Sequence, residues 1–132
     1  MNRITKVHLG PLKRVMMELA RLGGEEKTGI LVGRRLDDTV TVDYIYRTDN
    51  IKSSPVRFEA EPWQIVQAHT SAEKYGLEVV GIFHTHPGCP ASPSSLDIDG
   101  MRRWPYIWVI SCSNEVRGWL LEEDRIREIH LE

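Results

Sequence analysis

The sequence predicts an α/β domain in which helices flank a mixed β-sheet. Two stretches that begin at Pro11 and Pro62 carry apolar residues at helical spacing, and short β-branched runs bounded by turn residues lie between and after them. With 132 residues, of which 41% are hydrophobic and 27% charged, the chain fits one compact domain over residues 1–132. We therefore expect a single-domain fold with a buried core.

The first third of the chain predicts a helix followed by a hairpin. Pro11 suits the first position of a helix that ends at Gly23. The apolar side of this helix comprises Leu12, Val15, Met16 and Leu19. Residues 28–34 and 39–46 are rich in β-formers and are separated by two aspartates that suit a turn, so the two runs should pair.

The rest of the chain predicts a second helix surrounded by strands. Pro62 opens this helix and Gly76 closes it. Its recurring residues are Ile65, Val66, His69 and Ala72. The predicted strands of this part are residues 56–60, 77–84, 106–111, 116–121 and 125–131.

Charge and composition argue against several classes of partner. The formal charge is -2 and the basic residues are scattered, so phosphate backbones find no basic face. No apolar run approaches the roughly 20 residues that span a bilayer, and the first residues lack a signal-peptide pattern. Cys89 and Cys112 are too few for a disulfide framework. We expect a cytoplasmic protein with reduced thiols, no membrane contact and no nucleic acid as its main partner.

A candidate metal site follows the strand predicted at 77–84, in the run His84-Thr85-His86-Pro87. Residues two apart on a strand face the same side, so His84 and His86 can offer two imidazoles to one ion while Thr85 points away. The pair is a weak signal by itself, because histidines at strand ends more often pack or form hydrogen bonds. A third ligand is needed.

Asp97 is the candidate third ligand. Ser92 suits an N-cap and Pro93 the first helical position of the segment that contains it. Ser94 and Asp97, three residues apart, then share one helical face. Two imidazoles and a carboxylate leave one position of a tetrahedral zinc ion open for water, as in catalytic zinc sites. The alternative is that these residues only cap the helix and that the carboxylate of Asp97 interacts favourably with the positive N-terminal end of the helix dipole.

The two motifs resemble the signature of the JAMM (MPN-plus) metallopeptidases. The matching segments are His84-Thr85-His86-Pro87 and Ser94-Ser95-Leu96-Asp97, and weaker similarity extends through both helices, residues 54–58 and the last strands. The resemblance implies an MPN-like (cytidine-deaminase-like) fold and one zinc ion per chain, bound by His84, His86 and Asp97. One departure is Thr28, where many relatives have cysteine.

The resemblance also implies two catalytic residues. Glu26 with Gly29 and Gly33 reproduces the family's spacing, whereas Glu25 is one position out of register. Glu26 is then the general base and acid of amide hydrolysis. Ser94 would donate a hydrogen bond to the developing oxyanion. The alternative is that both glutamates are solvated charges in a turn.

The substrate follows only from the resemblance. Eukaryotic members remove ubiquitin, whereas small bacterial relatives act on ubiquitin-like sulfur-carrier proteins. This compact chain resembles the bacterial relatives more. The implied partner is a carrier whose C-terminal diglycine tail lies in a groove beside the zinc and pairs with a strand edge. A non-catalytic MPN-like scaffold and a DNA-repair-associated domain are the alternatives, and the complete ligand set favours the enzyme.

Other candidate side chains fit the chemistry less well. Cys89, three residues after His86, is either an inert loop thiol or a group that takes the water position, and we favour the former. Asp99 lies roughly 200° around the helix from Asp97 and should be solvated. Three further histidines, His8, His69 and His130, lie outside any ligand pattern.

Overall fold

The computed structural model describes residues 3–48 and 62–132. Within these ranges the helices are α1 (Leu12–Arg21), α2 (Pro62–Lys74) and α3 (Ser95–Arg103). The strands are β1 (Lys6–His8), β2 (Thr28–Leu36), β3 (Thr39–Thr48), β4 (Glu78–Thr85), β5 (Ile107–Ser111), β6 (Val116–Glu122) and β7 (Arg125–Leu131). The strand predicted at 56–60 lies outside the described residues.

The strands form one mixed sheet that closes into a barrel in the order β1-β3-β2-β4-β5-β6-β7. β1 closes it by pairing in parallel with β3 on one side and with β7 on the other. β4 and β5 are also parallel, and the remaining neighbours are antiparallel. The predicted mixed sheet is confirmed. Its closure is not among the predictions, because β1 is three residues long and buries only Val7 fully.

The predicted hairpin is confirmed as β2 and β3. Asp37 adopts a φ of 55°, which suits the tight turn between the two strands. Their register shifts between Val32 and Gly33. A Cβ on Gly33 would lie 1.8 Å from the carbonyl oxygen of Thr41, so this close approach of the strands requires glycine.

Helix α2 has the predicted extent but a different buried side. Ala68 and Ala72 are buried together with Gln64, whereas Val66 and His69 are exposed. Residues four apart lie on one helical face, and the two alanines allow α2 to pack closely against β2 and β4. Of the recurring residues named from the sequence, Ala72 faces the core, whereas Val66 and His69 do not.

Two clusters of buried apolar residues fill the molecule, and β4 lies between them. Met16 of α1 and Phe83 of β4 belong to the first cluster, while Ile82 and Trp108 belong to the second. Side chains alternate along a strand, so His84 faces the same side as Ile82. The strand thereby directs His84 into the second cluster, where it is fully buried.

Cys89 and Cys112 form a disulfide, which contradicts the expectation of reduced thiols. Their Cα atoms lie 5.4 Å apart because β4 and β5 are parallel neighbours in which Thr85 pairs with Ser111. Residues that follow the two strands therefore stay close, although 23 positions separate the cysteines in sequence. Both alternatives considered for Cys89 assumed a free thiol, and neither applies to this state.

None of the helices in the described ranges is long and apolar enough to cross a membrane.

Candidate metal centre

The end of β4 presents two histidines to one site. The His86 N–H donates to the carbonyl oxygen of Ser111 at 2.7 Å, which holds the residue beside β5. The imidazole ring centroids of His84 and His86 lie 5.0 Å apart. Thr85, between them, instead accepts a hydrogen bond at its hydroxyl from the N–H of Lys27 at 2.9 Å. The alternation of the strand thus separates the two imidazoles from the intervening hydroxyl.

The first turn of α3 positions Asp97. Ser94 is the N-cap, and its hydroxyl accepts from the Asp97 N–H at 3.1 Å while Asp97 Oδ2 accepts from the Ser94 N–H at 2.9 Å. This reciprocal capping box fixes the carboxylate relative to the backbone. The prediction of Ser92 as N-cap is wrong, because the residue three positions after it is Ser95, which offers no carboxylate for the return bond.

The ligand atoms of His84, His86 and Asp97 converge, and this group could hold a metal ion. Asp97 Oδ1 lies 3.2 Å from Nε2 of His84, and Oδ2 lies 2.9 Å from Nε2 of His86. One ligand atom from each residue can be chosen so that all lie within 4.8 Å of one another. His84 and Asp97 are almost completely buried, and the side chain of His86 is 13% exposed.

Glu26 lies against this group, two residues before β2. Its Oε1 is 3.0 Å from Nδ1 of His84, the ring nitrogen opposite the one that faces Asp97. Glu26 is 4% exposed, whereas Glu25 is exposed to solvent. The structure therefore brings Glu26, and not Glu25, to the histidine.

Five buried atoms of this site have no aligned hydrogen-bond partner among the described residues. They are both carboxylate oxygens of Glu26, both ring nitrogens of His84 and Oδ1 of Asp97. Glu26 Oε1 and Asp97 Oδ1 lie 3.0 and 3.2 Å from the two ring nitrogens of His84, yet neither contact is a hydrogen bond. Buried polar groups in proteins nearly always have partners, and buried charges pair or coordinate metals. A cation bound by imidazole and carboxylate would supply the missing partner, so the residues present fit a metal site.

The close contacts also shift the ionisation of these groups. Burial lowers the pKa of His84, but the carboxylates of Asp97 and Glu26 outweigh burial and raise this pKa to about 10. Burial raises the pKa of Glu26, an effect that His84 only partly offsets. Burial opposes ionisation of Asp97 too, yet the two histidines hold its pKa well below the ordinary value. In the metal-free protein His84 is therefore an imidazolium, and one of its ring protons must leave when a metal ion binds.

Trp108 of β5 supports the site. Its ring stands edge-on to that of His84 at a centroid distance of 5.7 Å, and its indole N–H donates to the carbonyl oxygen of Trp104 at 3.0 Å. A Cβ on Gly100 of α3 would lie 2.6 Å from this indole. The strand that carries His84 and the helix that carries Asp97 thus pack against one side chain, a relation that sequence spacing does not reveal.

The remaining sequence candidates lie apart from the centre. His8 and His130 lie beside Glu132, at 3.9 and 3.8 Å. His69 is exposed on α2 and Asp99 is exposed on α3.

Comparison with known proteins places this architecture among related chains. A solution structure of a protein from Desulfitobacterium hafniense superimposes with a TM-score of 0.83 at 28% identity, and the match covers 96% of this chain and 91% of that one. A protein from Pyrococcus furiosus named desampylase is 37% identical over 120 residues, or 89% of this chain and 83% of its own. A probable TtuB-protein conjugate cleaving protease from Thermus thermophilus is 33% identical over 115 residues, which cover 86% of this chain and 74% of that protein.

The family model described as prokaryotic homologs of the JAB domain matches residues 11–122. That range contains the two histidines, the aspartate and the buried glutamate of the centre. The match confirms the resemblance to the JAMM group that the motifs indicate. This chain is therefore a member of the prokaryotic JAB-domain family.

Proposed function

We propose that this protein is a zinc metallopeptidase that hydrolyses the peptide or isopeptide bond after the C-terminal diglycine of a ubiquitin-like or sulfur-carrier protein. The observation that carries the proposal is the buried group of His84, His86 and Asp97, in which both ring nitrogens of His84 and Oδ1 of Asp97 have no hydrogen-bond partner among the described residues. The names of the two relatives support action on protein conjugates. The proposal takes residues 1–132 as one catalytic domain.

His84, His86 and Asp97 would hold one zinc ion per chain. When bound, zinc supplies a Lewis acid that polarises the scissile carbonyl and makes water nucleophilic near neutral pH. The capping box orients Asp97, and Trp108 packs against the ring of His84, so the ligands are positioned before the metal arrives. Burial of these groups strengthens their electrostatic interactions, because the local dielectric is low.

Glu26 would act as general base and then as general acid. It would accept a proton from the attacking water and deliver one to the leaving nitrogen. Its Oε2 has no hydrogen-bond partner among the residues described, which leaves that oxygen for reacting groups. Burial raises the pKa of Glu26 toward the working pH, where a carboxylate exchanges protons most effectively.

Ser94 would stabilise the negative charge that develops on the carbonyl oxygen. Its hydroxyl oxygen already accepts from the Asp97 N–H, so the hydroxyl proton is left for another acceptor. The capping box fixes the serine in position before the reaction begins. A fixed donor of this kind stabilises an oxyanion without reorganisation.

Metal content and cleavage of a panel of diglycine-tailed carrier conjugates test the proposal together. We expect one zinc per wild-type chain, retained in Glu26→Gln and lost in His84→Ala, with cleavage reduced at least about 100-fold in both variants. Glu25→Gln and His69→Ala, which change exposed residues of the same types outside the metal group, should match wild type. A metal-free wild type that binds carrier without cutting it would instead support the alternative of a non-catalytic MPN-like scaffold.

A further inference from the structure

The loop of residues 87–94 joins the two parts of the metal centre, because it runs from His86 to the N-cap Ser94. Ala91 is completely buried in this loop, whereas the residues on either side of it are exposed or partly exposed. It belongs to the second buried cluster, together with Trp108. Buried backbone polar groups need partners, so the hydrogen bonds of Ala91 determine where the loop lies.

Both backbone polar groups of Ala91 bond to side chains of the hairpin formed by β5 and β6. The N–H donates to Oε2 of Glu115 at 2.7 Å, and the carbonyl oxygen accepts from the indole N–H of Trp119 at 3.0 Å. Glu115 lies in the turn between β5 and β6, and Trp119 lies on β6 and is 7% exposed. A hydrogen bond to an ionised carboxylate is stronger than one between neutral groups. Two side chains thus hold Ala91 to the sheet.

Further contacts hold these two side chains in turn. The N–H of Cys112 donates to the carbonyl oxygen of Glu115 at 3.0 Å, which closes the turn that carries the glutamate. The guanidinium of Arg117 lies over the Trp119 ring, 4.6 Å from its centroid. Arg117 also donates to both carboxylate oxygens of Glu128 on β7, at 3.0 and 2.8 Å. A bidentate pair of this kind restricts the orientation of the guanidinium over the indole.

The hydrogen bonds of Ala91 connect the loop to the strand that carries His84. Trp119 lies opposite Trp108 in the register of β5 and β6, and Trp108 stands edge-on to the imidazole of His84. The capping box, by contrast, fixes Ser94 only relative to α3. Ala91 lies three residues before Ser94, so holding its backbone limits how far the serine can move from the histidine.

We propose that Glu115 and Trp119 are positioning residues, which hold Ala91 and thereby fix the hydroxyl of Ser94 relative to the histidines of β4. The inference rests on the proposed function, in which Ser94 donates to the oxyanion. Such a donor must lie about 3 Å from the oxygen that it stabilises, and a displacement of about 1 Å can cost about 100-fold in rate. Neither positioning residue belongs to the metal group or lies in the two motif segments.

Kinetics of the zinc-loaded enzyme on one diglycine-tailed carrier conjugate test this role. Glu115→Ala leaves the buried Ala91 N–H without its partner, and we expect kcat to fall at least about tenfold. KM should stay within about twofold, because the oxyanion contact forms only in the transition state, and zinc content should stay at one per chain. Glu115→Gln keeps an acceptor oxygen and should restore kcat. Trp119→Phe keeps an aromatic ring but loses the N–H, so it should behave like Glu115→Ala.

Glu128→Gln is the matched control, because it changes a carboxylate of the same network that does not touch Ala91. It should retain the wild-type kcat. Amide hydrogen exchange gives a readout besides activity: the Ala91 N–H should exchange slowly in wild type and Glu115→Gln, and at least about tenfold faster in Glu115→Ala. Unchanged exchange in Glu115→Ala would overturn the inference.

A double-mutant cycle separates positioning from a general structural role. If Glu115 acts through Ser94, adding Glu115→Ala to Ser94→Ala should lower kcat by no more than about twofold further. Losses that multiply in the double variant of an active enzyme would overturn the positioning role alone. A zinc-loaded wild type that cuts no conjugate would instead refute the proposed function, and the positioning role with it.

Discussion

Reduction of the Cys89–Cys112 disulfide should destabilise the part of the chain that carries Asp97. The bond closes a loop over residues 89–112, which contains Ser94 and Asp97 but not the histidines of β4. When the bond is intact, Asp97 is tied to the end of β5 as well as to its helix. Reduction removes this tie and leaves the capping box and the packing of Trp108 to position the carboxylate.

The loop length sets the expected magnitude. A separation of 23 residues gives a loop-closure stabilisation of about 3.4 kcal/mol at 25 °C in the chain-entropy description of disulfides. A chain of 132 residues has an unfolding entropy of about 0.28 kcal/mol per kelvin at its midpoint. Reduction should therefore lower the Tm of the metal-free protein by about 12 °C.

Thermal unfolding followed by circular dichroism, after removal of metal with a chelator, measures this shift with and without a phosphine reductant. Thiol titration under denaturing conditions should find no free thiol before reduction and two after it. The Tm of the double variant Cys89→Ala/Cys112→Ala should be close to that of the reduced protein and should not change when the reductant is added. Two free thiols in the untreated protein, or an unchanged Tm after complete reduction, would refute the reasoning.

Two further predictions concern the metal centre. Ser94→Ala should lower the free energy of unfolding by about 1 kcal/mol, because the N-cap hydrogen bond is lost, and should lower kcat by about 100-fold or more, because the oxyanion donor is lost. Ser94→Thr keeps the hydroxyl that serves as N-cap acceptor and oxyanion donor, so it is the control. Urea unfolding and conjugate cleavage measure the two effects, and a wild-type kcat in Ser94→Ala would remove Ser94 from catalysis. Zinc affinity should rise with pH by about tenfold per unit up to about pH 10. Burial lowers the pKa of His84, but the carboxylates of Asp97 and Glu26 outweigh burial and raise this pKa to about 10. Below that pH, zinc binding must release a proton from the imidazolium of His84. Calorimetry in two buffers of different ionisation enthalpy counts the protons, and zinc binding at pH 7 without proton release contradicts the assignment of His84.

Much of the fold follows from local sequence patterns. The strand predicted at 125–131 matches β7, the hairpin of β2 and β3 is correctly placed, and α1 ends where Gly23 indicates. These elements depend on periodicity and turn residues, which act over a few positions. Strand alternation also predicts that His84 and His86 face the same side, whereas the approach of Asp97 to them was expected from the resemblance to the JAMM signature.

Features set by distant contacts could not be predicted from such patterns. The disulfide arises only because β4 and β5 are parallel neighbours, and β1 is a strand only because it lies between β3 and β7. The inward face of α2 depends on how closely Ala68 allows the helix to approach the sheet. Trp108 acquires its place behind His84 through Gly100, which lies on a different element.

The closed sheet also affects how this protein meets other chains. In the part of the chain that the structure describes, every strand has a neighbour on both sides, but β1 pairs with only residues 39–41 of β3 and with His130 and Leu131 of β7. Residues 42–48 of β3 therefore have a strand partner on one side only among the described residues. Open strand edges are templates for pairing with another chain, and closure of the barrel limits that hazard to the stretches that β1 does not cover. The strand-edge pairing expected for a carrier tail would need one of these stretches.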